Sequence, residues 1–482
     1  MAVRTDTPKT RGTAPPTPWL TQALPRLRGL EPTRSYGYGG ELLHDDGRAD
    51  VEAYGARVAD LAIRLGEALL SYGASAEEAV AGMLVTAETY GLSYCEPSVT
   101  LASVSLSAHA PGELTPLHAS RVIRKHATDF RTLGDIHSLV DGISARQLSL
   151  DEARAAAARI LDAHVPAPAG GGRWGVLRAP VQTGFVAAGA AVVFGGSLLT
   201  SLFSFVAGFL GALLCGWLGR HGVPAFYRYA VASMPAGALA LAVSGTAPPF
   251  AVQAIVVAGV LGLLPTVTFV SAVQDALTGH YLTGIGRFLD ALLVFAAVIT
   301  GVVVVLGVGD LFGLGVPIVP VVPSATRADH LGAPAVGAVV FAVAVAARAR
   351  TPRRDWGPAA LLGLTGFVVS VEFRALGFSS LVGTALVAAV VGGAGHWVAR
   401  RRRESALPLV VPGIAPLLPG GALYAALSAL ASGRTTVGVG GMVYVAAVTL
   451  ALAVGVGLSG EVGQLVRRVR CGVAVSGARH RG

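Results

Sequence analysis

The alternation of apolar and polar positions changes character near residue 165. From Val51, apolar residues at Tyr54, Val58, Leu61, Leu65 and Leu69 recur close to the helical period, and Gly73 stands where a left-handed residue closes a helix. Ser75 and Glu78 have the spacing of a reciprocal cap, which predicts a second helix running to Gly91. Residues 98–108, rich in Val, Ser and Leu with partial alternation, predict one or two strands. Ser149 and Glu152 repeat the cap spacing and open an alanine-rich helix to about Ala163. Residues 51–165 are therefore expected to form an α+β domain, followed by a Pro/Gly-containing linker over 166–179.

Beyond residue 180 polar positions thin out and apolar runs follow one another, most of them near the ~20 residues a spanning helix needs. Spans are expected at 180–199, 201–219, 227–245, 250–269 and 288–308, and again at 332–348, 358–372, 376–398, 407–430 and 438–461. Arginine placement supports this count. With the domain in the cytoplasm, the loops expected inside hold Arg220, Arg228, Arg287, Arg348, Arg350, Arg353, Arg354 and the run Arg400, Arg401, Arg402, Arg403. Those expected outside hold Arg327, Arg374 and Arg434. The tail over 467–482, with Arg467, Arg468 and Arg470, also falls inside, so both ends are placed in the cytoplasm.

The two sets of spans, over 180–310 and 332–466 with a connection at 311–331, share a pattern. Leu264-Pro265 matches Leu418-Pro419, Ala272 matches Ala426, and Gly279, Gly284, Gly286 and Gly301 match Gly433, Gly438, Gly440 and Gly455, always 154 residues apart. Five spans per copy is an odd number, so the copies lie upside down relative to each other in the membrane. The expected fold class is an α-helical integral membrane protein of about ten transmembrane helices in two inverted five-helix repeats, with an N-terminal cytoplasmic α+β domain. Inverted repeats give secondary transporters two oppositely open states of similar energy.

Composition agrees. Of 482 residues, 53% are hydrophobic and 13% charged, and the mean hydropathy of +0.63 places most of the chain in lipid. A net charge of +9 would suggest nucleic acid in a soluble protein, but here the arginines stand between apolar runs and read as topology. Cys95, Cys215 and Cys471 have no paired spacing, so neither a disulfide framework nor a thiolate metal site is indicated. Residues 1–50, with many prolines near the start and no apolar core of a secretory signal, are expected to be a disordered tail.

Proline inside a span frees a backbone carbonyl, which lipid tolerates only where protein, water or a ligand compensates. Pro265 in one half, and Pro412, Pro416 and Pro419 in the other, sit at corresponding depth, with Gly413, Gly420 and Gly421 allowing close backbone approach. These breaks are the expected substrate site, a packing kink being the plainer reading. Asp275 follows Pro265 by one or two turns, along with Thr266, Thr268, Ser271 and Gln274. A carboxylate there marks an ion or proton route, an amine-binding group, or an anchor paired with Arg287, for which Asp290 is an alternative partner. Glu372 and Arg374 are expected in a short outer connection, as a gate or as ordinary loop polarity. Tyr424 is either a substrate ligand or a wall aromatic. In the N-terminal domain, His109, His118, His126 and His137 accompany Asp129, Asp135 and Asp141 without a tight ligand signature, so no metal, cofactor or catalytic residue is expected. No phosphate-loop motif is present, so energy would come from a gradient.

The domain reading LGEALLSYGASAEEAVAGMLVTAETYGL, the spans ending in DALTGHYLTGIGR and those containing VPGIAPLLPGGALYAAL resemble the threonine/serine exporter family from about Val51 to Arg470. Asp275, Gly279, Gly286 and Arg287 in one half carry the resemblance, with Pro412, Gly413, Pro416, Pro419, Gly420, Gly421 and Tyr424 in the other. Pro265-Thr266 departs from the Pro-Gly usual at the first break. The resemblance implies proton-driven export of small amino acids, with dicarboxylates an alternative cargo, across the plasma membrane. The expected partners are an amino acid, protons and the lipid bilayer, with no nucleic acid; a homo-oligomer stays open. The rivals are a membrane-anchored enzyme acting through residues 51–165, which would gather that domain's histidines and aspartates in one cleft, and a sensor or channel gated by the domain.

Overall fold

The computed structural model describes residues 45–163 apart from 111–114 and 125, 173–314 apart from 247, 332–419 apart from 403 and 404, scattered residues from 421 to 429, and 434–479. Most of the expected N-terminal tail, the connection beyond residue 314, Gly420 and Tyr424 lie outside the described residues. The chain divides into two compact units: Met1–His126 with Asp135–Ala163, and Ala127–Gly134 with His164–Gly482.

In the first unit, α1 (Asp45–Ser71) begins six residues ahead of the expected start and ends in a turn where Gly73 takes φ 107°. The Ser75 hydroxyl accepts the Glu78 N–H at 3.2 Å and opens α2 (Ala76–Thr89). Three strands follow where one or two were expected: β1 (Ser93–Val99), β2 (Ser103–His109) and β3 (Pro116–Val122), antiparallel in that order. Val104, Leu106 and Ala108 of β2 are buried with Leu61, Leu65 and Leu69 of α1 among the unit's core residues. The third strand has no buried position, so it carries no apolar stripe by which alternation could reveal it. α3 (Phe130–Ser144) is cut by the unit boundary at Gly134, and α4 (Leu150–Ala163) is capped as the spacing predicted. Ser149 donates its N–H and hydroxyl to Glu152 Oε2 at 2.9 and 2.8 Å, while its Oγ accepts the Glu152 N–H at 3.4 Å.

The second unit is a bundle of apolar helices. α5 (Arg173–Val193), α6 (Leu198–Arg220), α7 (Ala225–Val243), α8 (Pro249–Leu261), α9 (Thr266–Leu277) and α10 (Tyr281–Leu311) precede the connection. α11 (Gly332–Arg348), α12 (Trp356–Ala375), α13 (Ser380–Arg402), α14 (Leu407–Ile414) and α15 (Thr435–Arg479) follow it. Among the described residues, seven helices are long and apolar enough to cross a membrane, and four apolar ones are shorter. Two of the expected spans are not single helices. The run over 250–269 stops at Leu261 and resumes at Thr266, because Pro265 offers no N–H and holds ψ 53°. The run over 407–430 breaks likewise: α14 tightens into a 3-10 turn at Ala415–Leu417, and Leu418 ahead of Pro419 is extended. The first span begins at Arg173, with Pro180 inside it.

Packing in the two halves follows one plan, set by glycines at helix crossings. A methyl group at Gly208 would stand 2.9 Å from both Thr183 O and the Ala187 methyl; one at Gly363 would press on the Ala342 methyl, with Ala338 O at 3.5 Å. All three positions are displaced by 155. Gly301 lies against Ala230 O and Ser233, and Gly455 against Ala385 O and Ala388. Here the glycines differ by 154 and their neighbours by 155. Gly237 against Val302 and Val305 recurs as Gly392 against Val456 and Ser459, and Gly259 against Ala207 and Ala236 recurs as Gly413 against Leu362 and Val391. α5 and α11 pack directly on each other. Gln182 donates to Ala347 O at 3.0 Å, Gly189 abuts the Phe341 backbone and Gly337 abuts Val192. Positions rise along α5 as they fall along α11, so the two helices are antiparallel.

Candidate functional site

The two breaks point into one shared interior. Leu264 and Ala422 pack against a cluster formed by Phe269, Ala291, Phe295 and Val445, so the first break and the segment just after the second meet the same core. Leu418 joins a cluster of Val186, Phe341, Ala344 and Ala415 contributed by both halves. Val270, one turn into α9, packs with Leu362, Val387, Val391, Val448 and Leu452 of the second half. α9 therefore lies between its own α10 and the second half's α15.

One face of α9 is polar. Thr268, Ser271 and Asp275, at i, i+3 and i+7, share a stripe; the two hydroxyl residues are half-buried and Asp275 is fully buried, at 0% exposure. The Thr266 side chain lies outside the described residues. Gly284 lets α10 approach until a methyl there would stand 2.8 Å from Ala272 O and 3.0 Å from Ala276 N. That approach brings Arg287, 5% exposed, to Asp275, and its Nη1 donates to Oδ2 at 2.8 Å. Of the two partners weighed for Arg287, the structure places Asp275 against it and leaves Asp290 exposed. A buried pair of this kind is expensive to break one partner at a time, by about 3–5 kcal/mol. Thr283 is fully buried one turn before Arg287 on the same face. Sequence reasoning passed over it, although a Thr at i−4 from a buried Arg on an apolar helix was the available signal.

Pro412 is buried within α14, and Pro419 lies half-buried beyond the 3-10 turn. Glu372 and Arg374 stand in the last turn of α12, which runs on to Ala375 and so leaves them out of the expected connection. Both are exposed, and Arg374 is folded back onto its own helix, donating Nε to Ser370 O at 3.0 Å. At the end of the bundle where α11 and α13 finish, Asp355 takes Arg402 at 2.6 Å and Asp129 takes Arg350 at 2.8 Å. The histidines of the first unit are dispersed. His118 Nδ1 meets Ser107 Oγ at 3.1 Å, His126 Nε2 meets Leu101 O at 3.1 Å, and His137 is buried on α3. A cavity of about 130 Å³ between α1 and β3 is lined by Asp60, His118 and Arg121 among others, and by none of the other histidines.

Long apolar helices, two of them interrupted within a common core beside a buried ion pair, define a multi-pass membrane protein. The model of the family described as putative threonine/serine exporter matches residues 60–309, and that described as threonine/serine exporter, ThrE, matches 334–462. The chain belongs to the threonine/serine exporter family. It is 31% identical over 411 residues to a probable threonine/serine exporter of Mycobacterium tuberculosis, covering 83% of this chain and 75% of that protein. It is 27% identical over 429 residues to a threonine/serine exporter of Corynebacterium glutamicum, covering 86% of this chain and 84% of that protein. No solved structure matches it.

Proposed function

We propose that this chain exports threonine, serine and similar small amino acids from the cytoplasm across the plasma membrane, driven by the proton motive force. The observation that carries the reading is the convergence of the two interrupted helices on one core, with Asp275 buried beside the first break. Interrupted helices near the midplane offer backbone groups and helix ends to a zwitterion, where continuous helices offer none. Ten crossings follow if each interrupted helix counts as one and α11 as another. The antiparallel contact of α5 with α11, and the recurrence of the contacts of Gly208, Gly237, Gly259 and Gly301 in the second half, support inverted repeats. Orientation with both ends inside is supported by Arg220, Arg348 and Arg402, each at the end of a helix expected to finish in the cytoplasm.

In this reading the halves rock about the breaks at Pro265 and at Pro412 and Pro419. Thr268, Ser271, Asp275 and Arg287 belong to the substrate or coupling site, and Glu372 guards the far end of α12. Thr266, Gly420 and Tyr424 are kept as further candidates on sequence grounds. The test is efflux of labelled threonine from cells loaded with a threonine dipeptide, with and without a protonophore, for the intact chain and for Asp275→Asn. Efflux should fall to the level of cells lacking the protein with the protonophore, and well below the wild type, though not to that level, in the variant. Full gradient-dependent export by Asp275→Asn would remove that carboxylate from the mechanism, and no threonine efflux at all would turn the search to dicarboxylates.

A further inference from the structure

The halves share their packing but not their charges. At the positions of the second half that correspond to Asp275 and Arg287, 154 residues on, stand Ala429 and Gly441, and Gly441 is pressed against the Ala426 side chain. A buried acid and base are thus built into α9 and α10, while small residues fill the equivalent places. Packing alone does not require the pair, since the second half packs without it.

Resting on the exporter reading, we infer that Asp275 and Arg287 are the subsite for the amino acid's own backbone charges: the substrate ammonium takes Arg287's place on Asp275, and its carboxylate takes Asp275's place on Arg287. The pair is neutral as a whole and withdrawn from water, at 0% and 5% exposure, with an N–O distance of 2.8 Å. Parting α9 from α10 would take from each group the opposite charge it holds at 2.8 Å. A ligand shifts a conformational equilibrium only by the interaction it gains in one state over the other. A zwitterion with ammonium and carboxylate on one carbon can replace both lost partners at once, so opening becomes favourable when such a ligand enters. An amino alcohol leaves Arg287 without an anion. A hydroxy acid leaves Asp275 without a cation, and a dicarboxylate adds like charge beside it. The empty pair is then a seal against leak, and the same two groups read the substrate class.

The test is counterflow by the full-length protein in proteoliposomes, with threonine, threoninol, 2,3-dihydroxybutyrate and malate as probes. The wild type should move threonine at least about tenfold faster than either single-charge analogue, since a site built to bond a group rejects the analogue lacking it. Arg287→Gln should erase the preference over threoninol and keep that over the hydroxy acid, whereas Asp275→Asn should do the reverse. Should either variant fail to give a monodisperse protein, Arg287→Lys and Asp275→Glu keep the charges at altered reach and should narrow the same ratios in the same directions. Variants that slow every probe by one common factor would overturn the inference, leaving the pair a structural lock within a working exporter. A wild type that moves neither threonine nor serine would instead overturn the exporter reading itself.

Discussion

At the residue scale, glycine position matters more than glycine abundance. Gly301 and Gly455 lie where a side chain would collide with the backbone carbonyls of Ala230 and Ala385, whereas Gly307 and Gly457 face open space. Valine at either of the first two should lower thermal stability in detergent by about 1–3 kcal/mol or more, and valine at either of the last two should change it by less than about 0.5 kcal/mol. Equal melting behaviour of all four variants would show that the crossings are looser than described. Of these, only Gly301 and Gly455 were visible in the sequence as a matched pair. The contacts of Gly208 and Gly237 recur at Gly363 and Gly392, one residue outside the register that the Leu-Pro match establishes. Asp275 was conspicuous as a lone acid beside an apolar run, but its burial depends on Gly284, whose closeness to α9 no local pattern encodes.

At the element scale, caps were the most legible feature. Ser75 and Ser149 open their helices as their spacing to Glu78 and Glu152 foretold, because each satisfies end groups that no other part of the helix can reach. β3 was not legible, and neither was the length of α12, whose exposed last turn carries Glu372 and Arg374 past the apolar run. α3 adds a pH response. Burial pushes the His137 imidazole down from 6.5 to about 4, so it is neutral at neutral pH and its 3.9 Å approach to Glu78 is not then an ion pair. Between those values the unfolded chain binds a proton that the folded one refuses, so stability should fall as pH falls through this window, by on the order of 3 kcal/mol in total. Glu152, held below its usual range by hydrogen bonds from Ser149, acts in the same direction at lower pH: its contribution is present above 4.5 and is lost as pH falls below it. Hydrogen exchange of α2 and α3 in the intact protein, corrected for intrinsic rates, should show protection declining from pH 6.5 downward, and His137→Gln should flatten that decline. Protection independent of pH in the wild type would refute the assignment.

At the scale of the whole molecule, the likeness of the halves on which the repeat proposal rests showed in the sequence as one dipeptide, one alanine and four glycines, and the interruption of the helices was legible through their prolines. The pairing of α5 with α11 was not, since Gln182 meeting Ala347 O joins residues 165 apart in sequence with no shared motif. The change of register between helix groups has its own meaning. In the matched contacts, positions from α5 to α7 have their counterparts 155 residues later, as Gly237 does at Gly392, and those from α8 to α10 have theirs 154 later, as Gly259 does at Gly413. If the halves are repeats, as proposed, one of them has gained or lost a single residue between its third and fourth helices. In the first half that interval contains the loop from α7 to α8, and in the second the loop from α13 to α14, so on that proposal a length change there is compatible with the fold. One alanine inserted after Gly245 should leave threonine efflux within about twofold of the wild type, whereas one inserted after Val270 should abolish it, because a slip inside α9 turns Ser271 and Asp275 by about 100° relative to the start of the helix. Lineages of this protein should accordingly differ in length at the first place and not at the second.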